Sequence, residues 1–180
     1  MTEKIKISDK NFEYYISHDK IIDIVGNVAD QINLDLNKEE VIFLGVLNGA
    51  FMFASELLKK INFTCEISFV KLASYSGHST TGTVKRLIGI DEDIKNKNVV
   101  IIEDIVDSGI TAEDIIRQLK GYDPKSVRIA TLFFKPSCFI KNYKIDYLGM
   151  EIPDYFIVGY GMDYNGLGRN LKNIYKLIKE

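Results

Sequence analysis

Apolar residues recur along this chain in two rhythms. Between His18 and Leu34, Ile21, Val25, Val28 and Ile32 fall three to four positions apart. That is the spacing of one buried helix face, and Ser17 stands where an N-cap belongs. "VIFLGVL" (41–47), "NVVIIEDIV" (98–106) and "SVRIATLFF" (126–134) are instead largely unbroken apolar runs, as expected of strands covered on both faces. "CEISFVKLA" (65–73) alternates well enough for a further strand. "NGAFMFASELLKKI" (48–61) predicts a turn and a helix, with Lys59 and Lys60 at its negative end. "ITAEDIIRQLKGY" (110–122) predicts another, with Thr111 and Asp114 at capping-box spacing and Gly121 at its stop. Short strands are expected around "KIDYLGMEIP" and "YFIVGYG", followed by a polar turn and a short terminal helix. "SYSGHSTTGTV" (74–84) is small, polar and long for a plain connection, so it is either mobile or functional. Strands alternating with helices predict an α/β fold, a mostly parallel sheet flanked by helices, with the C-terminal pieces forming an appendage.

Composition narrows the function classes. At 180 residues the chain is most simply one domain, able to bury roughly 70% of its unfolded surface. With 46% hydrophobic and 27% charged residues it suggests neither disorder nor a membrane protein. A net charge of −2 lacks the basic footprint of a dedicated nucleic-acid binder. Cys65 and Cys138 sit in no CxxC or Cys/His cluster, which argues against a zinc site or disulfide framework and for two buried free thiols of a cytosolic protein. The N-terminus has no apolar core of a signal peptide, and no run approaches the ~18 apolar residues of a membrane span, so a soluble cytoplasmic protein is expected. His18 is expected at the surface where a helix starts, and His78 is assigned no chemistry.

The stretch "VVIIEDIVDSGITA" (99–112) carries the chemistry. A buried strand ends in Glu103 and Asp104, and Asp107, Ser108, Gly109, Ile110 and Thr111 follow at a helix start. In an open parallel sheet, ligands bind beyond the carboxyl ends of the strands. Backbone N–H groups and hydroxyls converging on a helix N-terminus make an anion cradle suited to a phosphate. Glu103 and Asp104 can accept hydrogen bonds from ribose hydroxyls or help to hold Mg²⁺. A sugar phosphate fits both halves. The plain alternative is an acidic strand end followed by an ordinary capped helix, with Asp107 capping the turn.

Residues 99–112 resemble the phosphoribosyl-diphosphate (PRPP) motif of type I phosphoribosyltransferases, two acids followed by D-[ST]-G-x-T. From about residue 15 to residue 171 the chain resembles one branch of that family, the hypoxanthine-guanine phosphoribosyltransferases. The resemblance is carried by "GVLNGAFMFASEL", "SYSGHSTTG", "VVIIEDIVDSGIT", "LFFKPS" and "EIPDYFIVGYGMDYNGLGRNL". It implies the type I phosphoribosyltransferase fold in a single domain, with a small hood built from about 1–16 and 136–180. It also implies transfer of phosphoribose from PRPP to a 6-oxopurine, giving IMP or GMP and pyrophosphate, with Mg²⁺.

Roles follow position by position from the resemblance. Glu103 and Asp104 would hold the ribose hydroxyls and associate with Mg²⁺. The turn Asp107, Ser108, Gly109, Ile110 and Thr111 would bind the 5′-phosphate, with Asp107 also taking or sharing the N7 proton of the base. Lys135 matches the lysine that donates to the purine O6, Phe156 the ring that stacks on the base, and Ile157 the backbone that reads its edge. Asp163 matches the acid near the metal and the purine 2-position. Asn48 and Gly49 match the diphosphate loop, often preceded by a cis peptide, and Arg169 matches the arginine on pyrophosphate. Asn48 stands where many relatives carry lysine, and Gly166 and Gly168 where many carry bulkier residues. Ser74 and Tyr75 match the start of a lid that closes over the reaction centre. By the same analogy the protein is a homodimer or homotetramer. The rival reading is a non-catalytic nucleotide-sensing regulator on the same fold. A kinase or phosphatase is disfavoured by the lack of a Walker lysine and of a DxD pair.

Overall fold

The computed structural model describes residues 3–73, 85–88 and 93–178, with the backbone alone at 72–73 and 85–88. Its elements are β1 (Lys4–Ile7), β2 (Lys10–Ile16), α1 (His18–Leu36), β3 (Val41–Leu47), α2 (Phe51–Leu58), β4 (Glu66–Ala73) and β5 (Lys85–Ile88). Then come β6 (Asn98–Val106), α3 (Ile110–Leu119), a 3₁₀ turn (Lys120–Tyr122), β7 (Ser126–Phe134), β8 (Tyr147–Glu151), β9 (Ile157–Val158) and β10 (Ile174–Leu177). The expected lid, with Ser74, Tyr75 and His78, lies outside the described residues.

One six-stranded sheet runs in the order β5-β4-β3-β6-β7-β8. Its pairs from β4 to β8 are parallel and β5 closes the edge antiparallel. The continuous apolar runs are explained by two cores. Val41 and Phe43 of β3 face α1 and α2 with Val25, Val28, Ile32 and Phe53. Ile42, Leu44 and Val46 face the other way, toward Ala112, Ile115 and Leu119 of α3. Both faces are dry, so alternation disappears from the sequence.

A second, antiparallel sheet in the order β1-β2-β10-β9 is built from the two ends of the chain. Ile7, Phe12, Val158 and Tyr175 are its core. The strand at 147–151 adds to the parallel sheet beside β7, so the hood sheet draws on residues 4–16 and 157–177.

Several expectations need correction. The terminal segment forms β10 and no helix: Ile174–Leu177 pairs on one side with β2 and on the other with β9. Ser17 does cap α1, accepting from the Lys20 N–H at 3.1 Å. The capping box at α3 is not made. Gly109, in the left-handed region at φ 82°, precedes the helix without a side-chain cap, and Asp114 pairs with Arg117. Gly121 lies inside the 3₁₀ turn, and Asp123 adopts the left-handed conformation that ends it. The thiols are free but not buried: Cys65 is exposed and Cys138 half-buried. His18 is half-buried, its ring 6.1 Å from that of Tyr160, and its Nδ1 is enclosed without a partner among the described residues.

Phe12 is fully buried beneath the hood, with ring centroids 6.4 Å from Phe156 and 6.0 Å from Tyr164. Phe12→Ala is expected to cost about 3–5 kcal/mol of stability, the usual range for a buried phenylalanine. Urea unfolding measures the loss, and hydrogen exchange should show it first in β2 and β10. Unchanged protection in those strands would contradict the assignment of Phe12 as the hood's anchor.

Candidate active site

The carboxyl ends of β6 and β7 and the hood meet at one cleft of about 230 Å³. It is lined by Asp104, Ile105, Asp107, Lys135, Phe156, Ile157, Met162 and Asp163. Six of these were singled out by the sequence; Ile105 and Met162 were not. A larger hollow of about 450 Å³ shares Phe156 with the cleft, but its lining charges are already paired, Glu13 with Lys176 at 3.1 Å and Asp154 with Lys135 at 3.2 Å.

β6 delivers the acids. Glu103 is 5% exposed, and burial pushes its carboxyl well above the usual carboxylate range, with Asp104 adding to the effect. Burial likewise raises Asp104 to about 6, reinforced by Asp163 and opposed by backbone N–H groups and by Arg169. The turn after β3 closes on this carboxylate. The Leu47–Asn48 peptide is cis, Asn48 is exposed, and an added Cβ on Gly49 would fall 1.8 Å from Asp104 Oδ2. From the hood side, a Cβ on Gly161 would meet the Gly49 carbonyl at 2.0 Å. Only glycine backbones let these two loops and the acid share the space.

The loop after β9 holds its own charged pair. Arg169 donates to the Gly161 carbonyl at 2.7 Å and approaches Asp163 at 2.5 Å, while the other Asp163 oxygen accepts from the Gly166 N–H at 2.7 Å. Arg169 is therefore folded back on Asp163.

The turn 107–111 has a brace that sequence reasoning missed. Tyr143 donates to the Gly109 carbonyl at 2.9 Å, the Phe139 ring packs edge-on to Tyr143 at 5.1 Å and to Phe134 at 5.2 Å, and the Ile140 N–H reaches the Ser108 carbonyl. The signal was two aromatics four apart in "CFIKNYK", which no local rule ties to a loop thirty residues earlier. The turn itself leaves the N–H groups at the start of the ten-residue α3 directed outward, with Ser108 Oγ near the Ile110 N–H at 3.4 Å.

Lys135 extends from the end of β7, its backbone N–H bonded to the Val106 carbonyl. Its side chain is 8% exposed and its ammonium donates to Asp107 at 3.0 Å and Asp154 at 3.2 Å. Burial works to lower its pKa, but the two carboxylates outweigh burial and hold it above its ordinary value. Phe156 stands above the cleft with 46% of its surface exposed, flanked edge-on by Tyr164 at 5.9 Å. Ile157 is buried and its backbone pairs with Lys176.

The ligand atoms of Glu103, Asp104 and Asp163 do not all lie within 4.8 Å of one another. Among the described residues, the one group of three His, Cys, Asp or Glu ligand atoms within 4.8 Å of one another is Asp107, Cys138 and Asp154. Lys135 already supplies a cation to two of its members. No described helix is long and apolar enough to cross a membrane.

Comparison with known proteins agrees with this geometry. The model of the phosphoribosyl transferase domain matches residues 13–165. The hypoxanthine phosphoribosyltransferase of Buchnera aphidicola is 45% identical over 143 residues, covering 79% of this chain and 81% of that protein. A crystal structure of a hypoxanthine phosphoribosyltransferase from Staphylococcus aureus superposes with a TM-score of 0.87 at 35% identity, covering 92% and 91% of the two chains. A hypoxanthine-guanine phosphoribosyltransferase from Bacillus anthracis, solved with HEPES in its active site, gives 0.86 at 36% identity over 98% and 99%. With an acid-tipped strand, an anion turn and a lysine-bearing cleft in the same fold, the chain belongs to the phosphoribosyl transferase family, in its hypoxanthine phosphoribosyltransferase branch.

Proposed function

We propose that this enzyme transfers phosphoribose from PRPP to hypoxanthine or guanine, releasing pyrophosphate and forming IMP or GMP. The observation that carries the reading is the single cleft shared by Asp107, Lys135 and Phe156 beside the anion turn. In the reaction the purine N9 electron pair forms a bond to ribose C1 as the C1–oxygen bond breaks and its pair leaves with the diphosphate. Asp107 accepts the proton that the base sheds at N7. Lys135 donates to the exocyclic O6, and Phe156 stacks on the ring while the Ile157 backbone meets its edge. The turn 107–111 binds the 5′-phosphate with backbone N–H groups and hydroxyls. Asn48 and Gly49, with Arg169 once it is drawn from Asp163, face the diphosphate. Ser74 and Tyr75 begin the lid. A homodimer or homotetramer is the expected assembly, by analogy, and size-exclusion chromatography with light scattering reads it directly.

Mg²⁺ fits the donor set. Asp104 and Asp163 are hard oxygen ligands, and Asp163 lies near enough to add to the rise at Asp104, whose charge burial leaves poorly solvated. Mg²⁺ needs only one or two carboxylates when substrate phosphates supply the rest, so a tight protein triad is not required. Glu103 stands behind Asp104 and serves the same site or the ribose hydroxyls. Bound there, the ion would neutralise the departing diphosphate.

Steady-state rates with hypoxanthine, guanine, xanthine and adenine test the reading. Pyrophosphate release with the first two and little with adenine is expected, and no release with any base would overturn it. Asp107→Asn should lower turnover by ~10²–10⁴ with PRPP affinity retained, the usual span for a lost general base. Near-normal turnover at every pH would remove Asp107 from the mechanism.

The raised Asp104 also sets a pH dependence. Unfolded, it ionises at its ordinary 3.8; folded, at about 6, so the folded protein binds the extra proton between those values. The group's stabilising contribution is complete below about pH 4 and lost as pH rises through about 6. The metal-free wild type should therefore lose melting temperature across that window, and Asp104→Asn should lose less. Parallel melting curves for the two proteins would contradict the assignment.

A further inference from the structure

Lys135 has two carboxylate partners, and the mechanism above uses only one. Asp107 Oδ2 lies 3.0 Å and Asp154 Oδ1 3.2 Å from its ammonium. The lysine side chain is 8% exposed, whereas the carboxylates are 51% and 67% exposed. The two acids arrive from different directions, Asp107 from the turn after β6 and Asp154 from the link between β8 and β9, two residues before Phe156. Asp107 is thus engaged by the same lysine that faces the base in the proposed reaction. Once Asp107 turns to the proton of the purine, it ceases to be a full partner for Lys135. A buried ammonium left without a carboxylate is disfavoured and would swing away or lose its proton. Asp154 is placed to prevent both. Asp154 also shares a hydrogen bond with the Cys138 thiol, but at 67% exposure its contacts contribute little to stability.

We propose that Asp154 is a positioning residue: it keeps the Lys135 ammonium aimed into the purine cleft while Asp107 serves the base, and so sustains the preference for an oxo over an amino group. The inference rests on the assignment of Lys135 to the exocyclic oxygen made above. Asp154 itself need not touch substrate. An Asn at 154 could accept a hydrogen bond but would bring no compensating charge, whereas a Glu would restore it on a longer stem.

The test is steady-state kinetics of Asp154→Asn, Asp154→Glu, Lys135→Met and the Asp154→Asn/Lys135→Met double variant, varying each base and PRPP separately. Asp154→Asn should raise KM for hypoxanthine and guanine roughly tenfold, the scale of one charge-assisted contact. KM for PRPP and the melting temperature should stay close to wild type, and Asp154→Glu should recover most of the loss. In the Lys135→Met background, Asp154→Asn should add nothing, because its effect passes through the lysine. A damaged Lys135→Met enzyme beside an Asp154→Asn enzyme with normal base use would overturn the inference alone. So would losses that add in the double variant, or equal losses for base and PRPP. Normal base use by Lys135→Met would overturn the lysine assignment and the inference with it.

Discussion

The site is organised around negative charge placed where water is scarce. β6 runs through the middle of the sheet, dry on both faces, and carries Glu103 and Asp104 at its end before the chain can reach solvent. Carboxylates in such a place are poorly hydrated, which raises their pKa and leaves them in need of hydrogen bonds or cations. The neighbouring features answer that need. Backbone N–H groups and Arg169 oppose the rise at Asp104, and the turn at Gly49 presses main chain against its oxygen.

That same crowding fastens the hood to the sheet. The 159–169 loop reaches the turn before α2 main chain to main chain, Gly161 against the Gly49 carbonyl, and Arg169 is tied to Gly161. Phe156 is then set over the cleft by β9, whose partner β10 leans on β2 and the buried Phe12. A stacking ring far along the sequence is thereby positioned by the chain's first strands. The exposed face of Phe156 is apolar surface that a flat base would cover, which favours binding without any new strain in the fold.

The parts of this arrangement that were legible in the sequence are those with local causes. Buried parallel strands announce themselves as apolar runs, the capped α1 as a spaced stripe behind Ser17, and the anion turn as acids, glycine and hydroxyls on one bend. What escaped depends on partners distant in the chain. "NIYKLI" has apolar residues spaced to suit either a helix or a strand, and only the open edges of β2 and β9 decide for β10. Thr111 and Asp114 have capping-box spacing, yet the left-handed Gly109 moves the helix start so that neither side chain caps it. Lys135 alone looks like a solvated strand-end lysine; the family pattern marked it, and its burial between Asp107 and Asp154 supplies the reason.

Charge balance explains why so acidic a cleft can serve an anionic substrate. Its lining sets three carboxylates, Asp104, Asp107 and Asp163, against the one ammonium of Lys135. Arg169 stands beside Asp163 and largely spends its charge there. A diphosphate entering this field unaided would meet net repulsion at short range and low dielectric, where screening by salt is weak. In the proposed reaction the 5′-phosphate would avoid the problem by binding at the start of α3, where backbone N–H groups present positive potential. Under the proposed reading the diphosphate would face the turn before α2, where the exposed Asn48 brings no charge although relatives often place a lysine there. In the reaction proposed above, a divalent cation held by Asp104 and Asp163 would supply positive charge that the cleft's own side chains lack. The same acids that repel a bare diphosphate would then favour its metal-bound form.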